Sequence, residues 1–425
     1  MRDKKLIIAP GREAAIQRRH PWIFSGAVKR TVGSPQEGDM VDVVAADGTW
    51  LAAGHYQDES IVCKVLTFDA EENRLPEEEL LRRRLHSAIA YRQDLGFFAY
   101  LNHSSNQAIG QSSNQTNVFR LVHAEGDYLP GLVCDWYNGV LVMQAHSVGM
   151  HRRFPMLVTL FRELLGTRLQ SIFDKSGATV PGGCADGYLW GIEPAEWEIC
   201  EHSNRLLITF FEGQTTGFFI DQRENRELVQ SLARGHRVLN CFGYTGGFSL
   251  AALRGGAEYV ETVDISRKAI ELCNRNVALN FGHDAPHKGT VADVLQYLSG
   301  KWKVESGKIE AEQNSFNFPL STFNFIILDP PAFAKNHHVL KQGLKGYRSI
   351  NQRAMEIIEP GGLLMTFSCS QAVSLADFRT MVFTAAANAG RRVRIVRVLP
   401  HAMDHPVSVY HPEGEYLKGL LLAVE

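Results

Sequence analysis

The seven cysteines of this 425-residue chain are scattered, with no C-x-x-C and no paired histidine spacing. That argues against a zinc ribbon or a disulfide framework and fits reduced thiols in a cytoplasm. No metal is expected. No run approaches the ~18 apolar residues of a membrane span, so no membrane partner is expected. The N-terminus, MRDKKLIIAPGREAAIQRRH, lacks the continuous apolar region of a signal peptide. An excess of one charge is also missing: 44 Lys and Arg meet 46 Asp and Glu, a net of −2. The chain is not coated in positive charge, although a local basic face remains open.

What is present is ordinary in bulk and uneven along the chain. Hydrophobic content is 45% and charged content 21%, the balance of a globular protein with room for two to four domains. Residues 1–30 hold eight Lys or Arg against two acids, a surplus of six. Such polarisation is what a phosphate-binding surface needs.

Three segments differ in character. Residues 1–75 look all-β: LIIAP and IVCKVLTF read as strands, and Asp47-Gly48 sits between two apolar runs as a hairpin turn. Residues 76–195 are mixed. Leu81, Leu85, Ala88 and Leu95 fall near helical spacing, Asn138-Gly139 marks a second hairpin, and FPMLVTLFRELLG is an amphipathic helix. Residues 196–425 alternate strand and helix: RVLNC, YVETVD, FNFIILD and LLMTFS are strands, with helical patterns between them. That is a βαβ series, hence an α/β fold with a parallel sheet. RVRIVRVLP and GEYLKGLLLAVE add an antiparallel pair at the sheet edge. Two polar stretches, 101–117 (with SSNQ twice) and 301–322, read as surface insertions.

In an open parallel sheet, ligands bind beyond the carboxyl ends of the strands. Four such ends carry suggestive residues. Asn240, Phe242, Gly243 and Gly246 form a glycine-bearing turn that opens a helix. Asp264 ends the next strand, where a carboxylate can accept from both ribose hydroxyls of a nucleoside. Asp293 follows, placed to meet an adenine amino group. Asp329-Pro330-Pro331 is the most specific motif, because two prolines remove backbone donors and stiffen the loop behind the acid.

With these in order, the chain resembles the class I S-adenosylmethionine-dependent methyltransferases. More closely, it looks like the bacterial large-subunit ribosomal RNA 5-methylcytosine methyltransferases that carry an N-terminal PUA domain. GREAAIQRRHPWIFSGAV, TTGFFIDQREN, VLNCFGYTGGFSLAAL, DPPAFAK, KGYRSIN, TFSCSQAV, DHPV and PEGEYLKG carry the likeness nearly end to end. The resemblance implies a β-barrel-like PUA domain, a small α+β middle domain and a Rossmann-like methyltransferase domain. It implies S-adenosylmethionine as cofactor, ribosomal RNA as partner, a cytoplasmic location and a homodimer.

It also explains Cys369, a thiol where a buried strand stops. Cytosine C5 is a poor nucleophile; a thiolate added at C6 makes it enamine-like. The family pattern makes Cys369 the nucleophile and Asp329 the group that holds the cytosine edge. Arg223, in TTGFFIDQREN, is expected at the methionine carboxylate. For RNA, the expected contacts are Arg12, Arg18, Arg19 and Trp22, with Lys335, Lys341, Lys345 and Arg348 near the reacting base. Asp404 and His405 are candidates for removing the C5 proton, as is water. Two rival readings stand beside this one: an exocyclic-amino methyltransferase, although Ala332 separates Pro331 from Phe333, and a silent RNA-binding assembly factor. A nicotinamide oxidoreductase leaves Asp-Pro-Pro without a role.

Overall fold

The computed structural model describes residues 2–98, 116–300 and 320–425. The 101–117 insertion, apart from its last two residues, and the 301–322 insertion, apart from its last three, lie outside them. The chain divides into two compact units. No helix among the described residues is long and apolar enough to cross a membrane.

The first unit holds two sheets. Six strands run in the order Trp22–Phe24, Ile61–Thr67, Trp50–Tyr56, Met40–Val44, Lys5–Ile8, Val28–Val32. The Asp47-Gly48 turn joins Met40–Val44 to Trp50–Tyr56 as an antiparallel hairpin, with Gly48 at φ +93°. A second sheet of five strands follows: Gly187–Gly191, Ser171–Asp174, Val140–Ala145, Leu132–Tyr137, Val118–His123. Asn138 and Gly139 turn its central hairpin with φ of +48° and +96°, the left-handed pair such a two-residue turn requires.

Helices Glu77–Asp94 and Phe154–Leu165 bury their apolar stripes on the second sheet, with Leu81, Leu85, Leu157 and Phe161 in one core. One polar residue shares that buried stripe. Arg92 is fully buried, and its guanidinium donates to both carboxylate oxygens of Asp127 at 2.5 and 2.8 Å. A buried cation persists when it is paired in this bidentate way.

The second unit is the βαβ series. Its strands are β1 (Arg237–Cys241), β2 (Tyr259–Asp264), β3 (His287–Val291), β4 (Phe325–Leu328), β5 (Gly362–Ser368), β6 (Val393–Leu399) and β7 (Lys418–Val424). Their order across the sheet is β3-β2-β1-β4-β5-β7-β6. The first five are parallel; β7 inserts antiparallel between β5 and β6. The late antiparallel pair is therefore at the edge, as its lack of an intervening helix implies.

The helices are α1 (Arg223–Leu232), α2 (Gly247–Arg254), α3 (Arg267–Phe281), α4 (Val294–Leu298), α5 (Leu340–Ile357) and α6 (Leu375–Ala389). Strands β1, β4 and β5 are almost wholly buried, as their near-continuous apolar runs require. Leu239, Ile326, Leu364 and Leu422 pack with Tyr347, Ile350, Phe378 and Val382 from α5 and α6. Ser374 caps α6 and, with Asp377, closes a reciprocal capping box.

Candidate functional site

The carboxyl ends of β1, β2, β4 and β5 converge in the second unit, and the residues that end them can be followed one at a time. Gly243 packs so closely that a Cβ there would lie 2.2 Å from Thr262 Cγ2. Gly246 has φ +88°, and its Cβ would meet Cys273 Sγ at 2.5 Å. Both glycines are demanded first by packing against the neighbouring elements. Phe242 and Tyr244 take left-handed φ of +60° and +45° to complete the turn, a backbone region that costs a non-glycine residue free energy.

Asp264 holds that turn from below. One carboxylate oxygen accepts from Tyr244 N at 3.0 Å and the other from Ser266 N at 2.8 Å. Each oxygen keeps a second lone pair, so the carboxylate can still accept from ribose hydroxyls. Asn240 is fully buried; its amide donates to Ser249 Oγ at 2.9 Å, and Ser249 continues to Thr262 at 2.6 Å and on to His287 at 2.7 Å. Asn240 Oδ1 and Thr245 Oγ1 are buried without a hydrogen-bond partner among the described residues. An acidic strand end with unspent acceptors beside a tight turn suits a nucleoside. Asp293 is exposed and caps α4 by accepting from Gln296 N at 2.9 Å. Arg223 opens α1, buried, with its guanidinium 3.0 Å from Glu224.

The second half of the site forms where β4 and β5 end. Asp329 Oδ1 accepts from the Gln222 amide at 3.0 Å, and Gln222 is itself held by Asn225 at 2.7 Å. Cys369 lies half-buried across from it, its Sγ 3.8 Å from the Pro330 carbonyl. The thiol and the Asp-Pro-Pro loop are thus neighbours. Ser370 stitches the two loops together: its Oγ accepts from Ala334 N at 3.1 Å and shares a 2.8 Å hydrogen bond with the Tyr347 hydroxyl. Burial raises the Tyr347 hydroxyl pKa, so the phenol stays neutral.

Three residues here were not singled out as site residues from sequence: Gln222, Tyr347 and Lys418. Lys418 is buried, and its ammonium donates to the carbonyls of Ser370 and Tyr416, each at 2.6 Å. Burial lowers its pKa to about 8, against the opposing pull of Cys369 and Glu415. All three lie inside motifs quoted above (TTGFFIDQREN, KGYRSIN, PEGEYLKG), which was the available signal.

Five of the seven cysteines, Cys63, Cys134, Cys200, Cys241 and Cys273, are buried; Cys184 and Cys369 are not. Burial pushes the Cys241 thiol far up and the Cys273 thiol up to about 12, so both stay protonated core groups.

Among the expected RNA contacts, Lys335, Lys341 and Lys345 are exposed around the start of α5, and Arg348 is half-buried. In the first unit, Arg12, Arg18 and Arg19 are exposed. Two other N-terminal cations are already neutralised: Arg2 pairs with Asp42 at 2.9 Å and Lys4 with Asp39 at 2.6 Å. Trp22 is half-buried, donating to Glu125 at 2.8 Å with its ring 4.4 Å from that of His411. Asp404 and His405 are buried in the first unit. Asp404 accepts from Arg120 N at 2.7 Å and from His405 at 2.9 Å, and its carbonyl accepts from Arg92 at 2.7 Å. That network holds Asp404, while His405 Nε2 is buried without a hydrogen-bond partner among the described residues. His151, Asp174 and Cys184 also converge, with ligand-type atoms within 4.8 Å. His151 and Asp174 already form a 2.8 Å pair there.

A family model described as S-adenosylmethionine-dependent methyltransferase matches residues 181–406, and one described as a PUA-like domain matches residues 6–68. The protein named Ribosomal RNA large subunit methyltransferase I of Tolumonas auensis is 37% identical over 418 residues, 97% of each chain. Its namesake from Shewanella denitrificans is 36% identical over 425 residues, 99% of each chain. A Streptococcus mutans structure, assigned as a SAM-dependent methyltransferase, superposes with a TM-score of 0.77 over 99% of both chains at 20% identity. A further structure, SMU.776 complexed with SAH, gives 0.77 and 21% over the same share. At that identity these two likenesses speak to the fold.

Proposed function

The chain belongs to the S-adenosylmethionine-dependent large-subunit ribosomal RNA methyltransferases, and from that premise we propose that it methylates C5 of a cytosine through a covalent adduct on Cys369. The observation that carries this reading is the thiol itself. It ends a buried strand, remains half-exposed, and sits 3.8 Å from the carbonyl that follows Asp329.

When bound, S-adenosylmethionine supplies an electrophilic methyl group. Asp264, the 242–246 turn and Asp293 are the residues to hold its nucleoside half, and Arg223 the residue to meet its carboxylate. The Cys369 thiolate forms a bond to C6 of the base and leaves C5 with enamine character, nucleophilic enough to take that methyl. Once the C5 proton passes to water, the S–C6 bond breaks and the thiolate returns. Asp329, aimed by Gln222, holds the polar edge of the base as charge develops on the ring. The target base must first leave its stack, at a cost of a few kcal/mol. Lys335, Lys341, Lys345 and Arg348 beside the site, with Arg12, Arg18 and Arg19 of the PUA-like domain, offset that cost through phosphate contacts.

One contact favours carbon over the exocyclic amine. Amino-group methyltransferases stack the base on the aromatic ring that follows Asp-Pro-Pro. Here the corresponding ring, Phe333, packs against Tyr347 at 4.7 Å and Phe242 at 6.3 Å.

The test uses tritiated-methyl S-adenosylmethionine with unmodified ribosomal RNA, followed by digestion and nucleoside identification. Label in 5-methylcytidine is expected, and Cys369→Ala abolishes it while cofactor binding stays within about threefold. Normal turnover by Cys369→Ala removes the nucleophile assignment. Label on an exocyclic amine returns Cys369 to a core role.

A further inference from the structure

The motif PEGEYLKG has no part in the chemistry above, yet its lysine ends up against the residue that follows the thiol. Strand β7 runs antiparallel to β5, and the register pairs Lys418 with Ser368. The first residue of β7 therefore lies at the same sheet edge as the last residue of β5. A parallel strand would place its first residue at the opposite edge. From there the Lys418 ammonium reaches the Ser370 carbonyl at 2.6 Å, so it grips the residue immediately after Cys369.

The environment of that ammonium is unusual. Lys418 is only 5% exposed, and the hydrogen bonds it makes go to two backbone carbonyls rather than to a carboxylate. A buried lysine held only by neutral carbonyls is disfavoured, because a buried charge needs an opposite charge nearby. An ammonium also has three N–H donors, one more than these carbonyls use. Several titratable groups surround it. Cys369 follows β5 and Glu415 precedes β7; both favour the charged lysine, while burial opposes it. Tyr347 of α5 reaches the same Ser370 through its neutral hydroxyl. His401 accepts from Leu417 N at 2.8 Å, and its ring packs on Tyr416 at 4.7 Å. Asp329, ending β4, is engaged by Gln222. Glu415 is exposed, so the charge that best completes a buried ammonium here is a thiolate.

We propose that Lys418 is the positioning residue for the nucleophile: its ammonium anchors the 369–371 loop through the Ser370 carbonyl and supplies the positive charge that keeps Cys369 ionised. This rests on the reading of Cys369 as the attacking thiol. Electrostatic attraction is mutual, so the thiolate that favours Lys418's charge is itself favoured by it. Helix α6 begins six residues beyond Cys369, at Leu375. A helix terminus acts within about one turn, so Lys418 is the nearer source of activation. The thiol's own proton leaves to solvent, and Lys418 keeps its protons throughout.

The test follows Cys369 alkylation by iodoacetamide against pH, read at the Cys369 peptide by mass spectrometry, in the wild type, Lys418→Gln and Lys418→Arg. Glutamine keeps a donor for the Ser370 carbonyl and loses the charge; arginine keeps the charge. We expect the wild-type midpoint below the ordinary thiol value of about 8.5. Lys418→Gln should raise it by about one pH unit or more, which lowers the thiolate fraction at pH 7 about tenfold. Methyl transfer should fall by a similar factor and recover as the pH is raised. Lys418→Arg should restore most of both. An unchanged midpoint in a folded Lys418→Gln overturns the proposal. If that variant does not fold, a wild-type midpoint at or above about 8.5 overturns it. Cys369→Ala separates the two ideas: turnover without the thiol ends the nucleophile reading, whereas the alkylation midpoints test the Lys418–Cys369 pairing by themselves.

Discussion

Gly243→Ala is the sharpest test of how the cofactor end is built. The added methyl would lie 2.2 Å from Thr262 Cγ2 and 2.9 Å from Asn240 Nδ2. Thr262 is fully buried, and its hydroxyl is fixed by Ser249 at 2.6 Å and His287 at 2.7 Å, so turning it aside breaks those bonds. Lifting the turn instead breaks the hydrogen bond from Gly243 N to the Val263 carbonyl at 3.1 Å. Overpacking costs about 1–3 kcal/mol, and a lost hydrogen bond adds about 1 kcal/mol. The sum, roughly 2–4 kcal/mol, lowers the melting temperature of a unit this size by roughly 5–15 °C. Calorimetry on the full chain reads this out, the relevant transition being the one that S-adenosylmethionine moves upward. Gly26→Ala is the comparison in the first unit, where a Cβ meets nothing within 4 Å; that unit's own transition should stay within about 0.5 kcal/mol of wild type. A Gly243→Ala protein that melts within about 1 °C of wild type refutes the packing account.

Asp264→Ala should weaken cofactor binding about 100-fold or more by calorimetric titration, the loss of two hydrogen bonds to a charged acceptor, and leave RNA affinity unchanged; a parallel fall in both means the cofactor site is misplaced. Glu77 tests the first unit's acid stability. Burial alone would raise its carboxyl, but hydrogen bonds from His55 at 2.7 Å and Arg153 at 2.8 Å outweigh that and hold it at about 2. A depressed carboxylate contributes stability in full above the ordinary value of about 4.5, and that stability is lost as pH falls through about 2. Glu77→Gln should therefore cost up to about 3 kcal/mol in urea unfolding at pH 7, and the gap from wild type should close toward pH 2; a gap that stays constant with pH refutes the linkage. Replacing Arg12, Arg18 and Arg19 together by Gln should weaken RNA binding and flatten its dependence on salt by about 0.7–0.9 per lost phosphate contact; an unchanged slope removes these arginines from the RNA surface.

The parallel sheet was legible because its central strands are buried on both faces. FIIL and GLLMTFS can hardly be anything else once Asp-Pro-Pro and Ser-Cys-Ser end them. Strand β3 was not legible. HKGTV has one strongly apolar residue, and its place is set by pairing with β2 rather than by its own pattern. Ser171–Asp174 and Gly187–Gly191 were missed for the same reason, as short partners of a sheet already formed. At the site, residues with a chemical reputation were easy to name: a thiol, three strand-end acids and a glycine turn. Lys418 and Tyr347 were passed over because lysine and tyrosine are by default surface or amphipathic residues. Only tertiary structure buries both against one serine.

That serine shows how the fold fixes the loop that carries the proposed nucleophile. An edge strand would leave the loop after β5 supported from one side. Here β5 has β4 on one side and β7 on the other. Both neighbours reach Ser370: Ala334, beyond β4, donates to its hydroxyl at 3.1 Å, and Lys418, opening β7, donates to its carbonyl at 2.6 Å. Tyr347 adds a third hold from α5 at 2.8 Å. The residue after the thiol thus carries three restraints, and Cys369 Sγ lies 3.8 Å from the Pro330 carbonyl. A nucleophile must be held in place, and restraining the neighbouring residue does so through the backbone, without a bond to the sulfur being needed for that purpose. It also separates two kinds of change: changes at Ser370 should move the thiol, whereas changes at Lys418 should both loosen its loop and alter its charge.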